Sequence, residues 1–244
     1  MPWTVPILRA LPAIAAAVVI TFTGGHSAQY GLVVFAAWAG LTAIVDLVAA
    51  RLLPSGSART VSVGRGIAGA LGAAIAGLAA AGLLGALGEV ERTAVLALTA
   101  AATLIVGGML EAGIGVRSKD TDAYARDWTT AGTIQIIAAI VILFVQPGFE
   151  QHYRVEDVAG VITGAIIVIG IIGAMTAILG VLLVLAGISL RSTTRSPGDA
   201  EAPTDPEAAV APEAAVDPET PAPDARADDD GGVDTPAEEQ EGTR

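Results

Sequence analysis

Residues 157–190 read DVAGVITGAIIVIGIIGAMTAILGVLLVLAGISL, and no charged side chain stands between Asp157 and Arg191. About 20 apolar residues are enough for a helix to cross a bilayer. A helix that is apolar on every face must also be covered on every face. This run is therefore expected to be a membrane-spanning helix, and the rest of the chain is read outward from it.

The surrounding composition agrees. Of the 244 residues, 53 % are hydrophobic and only 4 % aromatic, with 29 glycines. Ala, Val, Ile, Leu and Gly are the residues of closely packed transmembrane helices. Upstream, five further apolar segments can be cut out, at about 7–22, 30–50, 67–87, 93–116 and 129–145, with the opening stretch as the sixth at 158–190. The first is expected to be an uncleaved span: its n-region carries only Arg9, and no convincing A-x-A cleavage site follows. The predicted fold class is all-α, a polytopic membrane protein with six transmembrane helices arranged as three hairpins, over residues 1–191.

Charge sets the expected orientation. In a six-span arrangement Arg9, Arg51, Arg59, Arg65, Arg117, Lys119, Arg126, Arg191 and Arg195 fall on one side of the membrane, and Arg92 and Arg154 on the other. Basic residues collect on the cytoplasmic side. Both termini are thus expected inside, in the plasma membrane of a bacterium. The sixth helix is longer than the bilayer is thick, so its first turns, about Asp157–Thr163, are expected to project on the outer side.

The net charge of −12 is unevenly placed. Fifteen of the 25 acidic residues follow Arg195, against Arg226 and Arg244, so the remainder of the chain is close to neutral. Residues 192–244, rich in proline and alanine with a repeated PEAAV, have too little apolar surface to offset ordering entropy and are expected to form a disordered cytoplasmic tail. Such a tail either only solvates the protein or tethers a basic cytoplasmic partner.

Small residues recur at four-residue spacing on the third span, including Gly69, Gly77 and Gly85, and Gly160 and Gly164 form a GxxxG at the start of the sixth. Both patterns let helix backbones approach closely. They are expected to serve packing within the bundle, with a homo-oligomer as the alternative. The hairpins also repeat weakly. GLTAIVDLVAAR (40–51) and GGMLEAGIGVR (107–117) each place a carboxylate shortly before an arginine, and the third hairpin lacks the carboxylate near Leu185.

Asp46 and Glu111 are the carboxylates inside the predicted spans, each one to two turns from an inner helix end. An ionised group there costs some kcal/mol unless hydrated or paired. Either they are interfacial carboxylates held by neighbours, or they form a proton or cation site facing the bundle interior, with Gln135 as a hydrogen-bonding companion. His26 and His152, in the first and third outer turns, are candidate pH-sensing groups, because histidine changes charge between about pH 5 and 8. The expected state for both is a solvated loop histidine. There is no cysteine, no phosphate-binding loop, no HExxH and no GxSxG, so the sequence offers no catalytic constellation, metal site or cofactor. Sparse basic loops without aromatics give nucleic-acid binding no support; the one certain partner of such a chain is the lipid bilayer.

The three-hairpin plan, together with VVITFTGGHSAQYGLVVFAAWAGLTAIVDLVAAR (18–51), resembles the HdeD-like acid-resistance membrane proteins in their actinobacterial form, over about residues 5–191. The resemblance implies a small six-helix inner-membrane protein connected with stress, of undefined molecular activity; the residues themselves lead to the expectation of a non-enzymatic, structural role. The resemblance carries no catalytic residues across.

Overall fold

The computed structural model describes residues 3–53, 56–119, 125–155 and 158–194. These all belong to one compact unit, Met1–Asp199; the second unit, Ala200–Arg244, lies outside the described residues. So does nearly all of the acidic tail, with the expectations of disorder and of a basic partner attached to it.

Six helices and one small hairpin make up the described chain. They are α1 (Thr4–Phe22), α2 (Ala28–Leu52), α3 (Ser57–Ala80), α4 (Glu89–Arg117), α5 (Ala125–Leu143), the strands β1 (Glu150–Val155) and β2 (Val158–Thr163), and α6 (Gly164–Thr194). Five of the helices, all but α5, are long and apolar enough to cross a membrane. The exception carries Arg126 and Asp127 in its first turn and Gln135 in its middle.

Neighbouring helices in sequence pack against one another, and α1 meets α6, so the six close into a ring. The heaviest packing is between hairpins, α2 on α3, α4 on α5 and α6 on α1, rather than within them. The even-numbered helices also touch one another across the centre. This is the pattern expected of three related hairpins around a common axis. The helix ends at the α1–α2 and α3–α4 connections are tied by polar contacts: the Ala28 N–H donates to Glu89 at 2.6 Å, and the Gln29 amide donates to the Ala80 carbonyl at 2.6 Å. Ser27 caps α2 by accepting from the Tyr30 N–H.

Burial is inverted relative to a water-soluble protein. Many helix contacts are built from alanine, among them Ala10, Ala39, Ala76, Ala100, Ala101 and Ala139, around a few large side chains such as Leu32, Phe35, Leu104 and Ile169. Large aliphatics point outward instead: Leu11, Ile44, Leu71, Leu98, Met109 and Val181 are each half or more exposed. An apolar exterior over an alanine-packed interior suits hydrocarbon as solvent, where close backbone packing replaces the hydrophobic drive.

Several expectations are corrected. Residues 158–163 are not the first turns of the sixth helix: VAGVIT pairs antiparallel with EQHYRV, from Glu150 opposite Thr163 to Val155 opposite Val158. The β-branched residues suit a strand, and α6 begins only at Gly164 and runs on to Thr194. Gly164 packs against the carbonyls of Gln146 and Pro147, and a Cβ there would lie 2.5 Å from the former. Gly160 sits under the Tyr153 ring across the hairpin. The two glycines therefore do not form a helix–helix face. On α3, Gly69 does pack closely, with the Ala39 carbonyl 3.1 Å from where its Cβ would be. No atom comes within 4 Å of the same point at Gly77. Gly85 lies beyond α3, in a turn at φ +98°, a conformation that favours glycine. A backbone-to-backbone contact closer than that at Gly69 lies between α4 and α5, where a Cβ on Gly132 would lie 2.5 Å from both Ala112 N and Gly108 O.

Candidate functional site

Asp46 and Glu111 come together, and two arginines lie between them. Asp46 sits near the end of α2 and Glu111 near the end of α4; Arg9 and Arg65 sit near the starts of α1 and α3. Short connections make these helices antiparallel neighbours, so all four residues arrive at the same end of the bundle. Arg9 Nε lies 3.1 Å from Asp46 Oδ1, and its Nη2 donates to Glu111 Oε1. Arg65 Nε donates to Asp46 Oδ2 at 3.0 Å, and its Nη1 lies 2.6 Å from Glu111 Oε2. Each guanidinium thus bridges both carboxylates, and each carboxylate gives one oxygen to each guanidinium. The result is a closed ring of alternating charge, Arg9–Asp46–Arg65–Glu111.

Small residues make the space for it. Ala13, Ala39, Gly69 and Gly107 line the same cavity. A Cβ on Gly107 would stand 3.2 Å from Gln135 Oε1 and 3.8 Å from Arg65 Nη1. Gln135, from α5, donates its amide to Glu111 Oε2. The third hairpin contributes no charge. It lines the cavity with Ala131 and Gln135 from α5 and with Leu179 and Leu183 from α6. Leu183, rather than the exposed Leu185, faces the position of the missing carboxylate.

The ring is buried: Asp46 and Glu111 are each 1 % exposed and Arg9 9 %. Moving an ion out of water costs several kcal/mol even after relaxation, and only close opposite charges with further hydrogen bonds offset that. Two cations against two anions give zero net charge, and guanidinium–carboxylate pairing is among the strong hydrogen-bonding geometries. The carboxylate oxygens face guanidiniums, which leaves them poorly placed to ligate a metal ion. No group of three potential ligands stands together among the described residues. The remaining cavity, about 50 Å³, has Thr42 and Thr103 on its wall. The Thr42 hydroxyl is buried without a hydrogen-bond partner.

Sequence reasoning singled out both carboxylates and Gln135 but counted Arg9 and Arg65 as inner-loop charges. A buried carboxylate needs a cation at its own depth, and these two arginines lie inside helices at the depth of Asp46 and Glu111. That was the available signal. The histidines stand apart from the ring. His26 Nε2 lies 3.0 Å from the Ile20 carbonyl and its ring meets Tyr30 edge-on, which makes it a half-buried end to α1 rather than a solvated loop residue. His152 is exposed on β1, 3.4 Å from Glu150.

Comparison with protein-family models, with curated proteins and with solved structures finds no match to this chain.

Proposed function

We propose that the chain is a six-span, non-enzymatic protein of a bacterial plasma membrane, with both termini cytoplasmic, and that its charged ring is an internal lock rather than a transport site. The observation that carries this reading is compensation: neither carboxylate faces the other without a guanidinium between them. With Gln135, the ring fastens five of the six helices at one end of the bundle. A structural or stress-related role, the second part following from the HdeD-like resemblance, needs such a rigid body and no turnover chemistry.

A second reading, a small proton or cation channel or transporter, is favoured by one feature, the unpaired Thr42 hydroxyl on the wall of the small cavity beside the ring. Purified protein in proteoliposomes, loaded with a pH-sensitive dye and polarised with a potassium gradient, separates the two. The expected result is no proton or cation flux beyond that of empty vesicles. Flux that Asp46→Asn or Glu111→Gln removes, in variants that still reconstitute, would overturn the lock and establish transport.

A further inference from the structure

One face of α6 is left open where α5 begins. Ala177, Ile178, Val181, Leu182, Leu185 and Ala186 form its apolar floor, and Asp127 and Ser189 close one end, around a groove of about 680 Å³. From Ala177 to Ser189 the floor is about 18 Å long at the α-helical rise. One leaflet's share of a hydrocarbon layer roughly 30 Å thick is nearly the same. The polar end lies at the basic end of the bundle, with the start of α5 and the end of α6, where headgroups of that leaflet stand.

Asp127 is the informative residue. Among the described residues, Arg51, Arg59, Arg117, Lys119, Arg126 and Arg191 are the exposed charges at this end. Asp127 is the only carboxylate there outside the ring among the described residues, and it is half-buried. Arg126, next in sequence, acts on it electrostatically, but none of the ion pairs among the described residues includes Asp127. A carboxylate and a hydroxyl at headgroup level, above an apolar trough one leaflet deep, complement an amphiphile with a hydrogen-bonding cationic head.

We propose that this groove binds one phospholipid whose headgroup carries a primary ammonium, with an acyl chain along α6 and the ammonium on Asp127 and Ser189. The proposal rests on α5 and α6 crossing the bilayer; impermeant labelling of a single cysteine at His152 tests that premise separately from lipid selectivity, which the quenching below reads.

Trp128 provides a reporter, since it is buried beside Ala186 on the groove floor. With Trp3 and Trp38 changed to Phe, its fluorescence is read in phosphatidylcholine vesicles containing increasing phosphatidylethanolamine brominated near the ester end of its chains. The expected result is half-maximal quenching at a several-fold lower mole fraction than with equally brominated phosphatidylcholine or phosphatidylglycerol. Asp127→Asn, nearly isosteric, should move the ethanolamine curve onto the choline one, and Val181→Phe should reduce quenching by all three. In the wild-type chain, phosphatidylethanolamine should be enriched in the lipid retained through detergent purification. Equal quenching by the three lipids would mean ordinary boundary lipid and overturn the proposal. So would efficient Val181→Cys disulfide crosslinking between copies that added phosphatidylethanolamine does not reduce, because a second copy would then own the groove.

Discussion

Removing Asp46 alone and removing Asp46 together with Arg65 leave different charges behind, and that difference tests the ring. Asp46→Ala puts two buried guanidiniums on one carboxylate, and breaking a buried ion pair from one side costs roughly 3–5 kcal/mol. Asp46→Leu with Arg65→Met leaves Arg9 and Glu111 as a neutral pair. Apolar replacement of a whole buried pair is often neutral or stabilising. The double variant is therefore expected to unfold in detergent at a higher temperature than either single one. A double variant that melts at or below the lower single would show that the four charges do not act as a unit. At this scale the sequence made the carboxylates and Gln135 legible, because carboxylates are rare inside apolar runs. Arg9 and Arg65 were not, because an arginine near a helix end is also the ordinary mark of a cytoplasmic loop, and only the fold distinguishes the two uses.

Among the elements, glycine spacing proved a poor guide to where helices touch. The stripe on α3 reads as a packing face, yet Gly77 has open space around it and Gly85 is in a turn. At Gly132 the neighbouring atoms are the backbone of α4, which cannot move aside as a side chain can. Gly132→Ala is expected to separate α4 from α5 and lower the melting temperature by several degrees, of the order of an overpacking cost of about 1–3 kcal/mol. Gly77→Ala should be neutral or stabilising by up to about 1 kcal/mol, since it removes a flexible residue from a helix interior. Equal effects at the two sites would mean that the α4–α5 crossing is not tight. The start of α6 was illegible for a different reason. VAGVIT and GAIIVIG form one apolar run, and apolarity alone does not separate a strand from a helix. Only the pairing with Glu150–Val155, a segment that reads as loop on its own, decides it.

Over the whole molecule, the hairpin repeat was visible as two similar motifs, while closure of the ring of helices was not, since contact between α1 and α6 leaves no local trace. The number of crossings turns on α5, the helix whose composition falls short of a span. Its polar residues are accommodated all the same: Gln135 is bonded to Glu111, and Arg126 and Asp127 stand at the basic end. If α5 crosses, Gly24, Leu83 and His152 share one side of the membrane, and Arg59 and Lys119 share the other. The chain has no cysteine, so single cysteines at these five positions report cleanly. With an impermeant maleimide, the variants at Gly24, Leu83 and His152 are expected to label in intact cells, and those at Arg59 and Lys119 only after permeabilisation. The inverse pattern would keep six spans and reverse the orientation. Protection at His152 alone would mean that α5 stays on the inner side. In that case Gln135 would have to reach Glu111 from outside the hydrocarbon layer, and α4 and α5 would have to part at Gly108 and Gly132, where their backbones are in contact. That cost, set against the small deficit in the apolarity of α5, is why six crossings are expected.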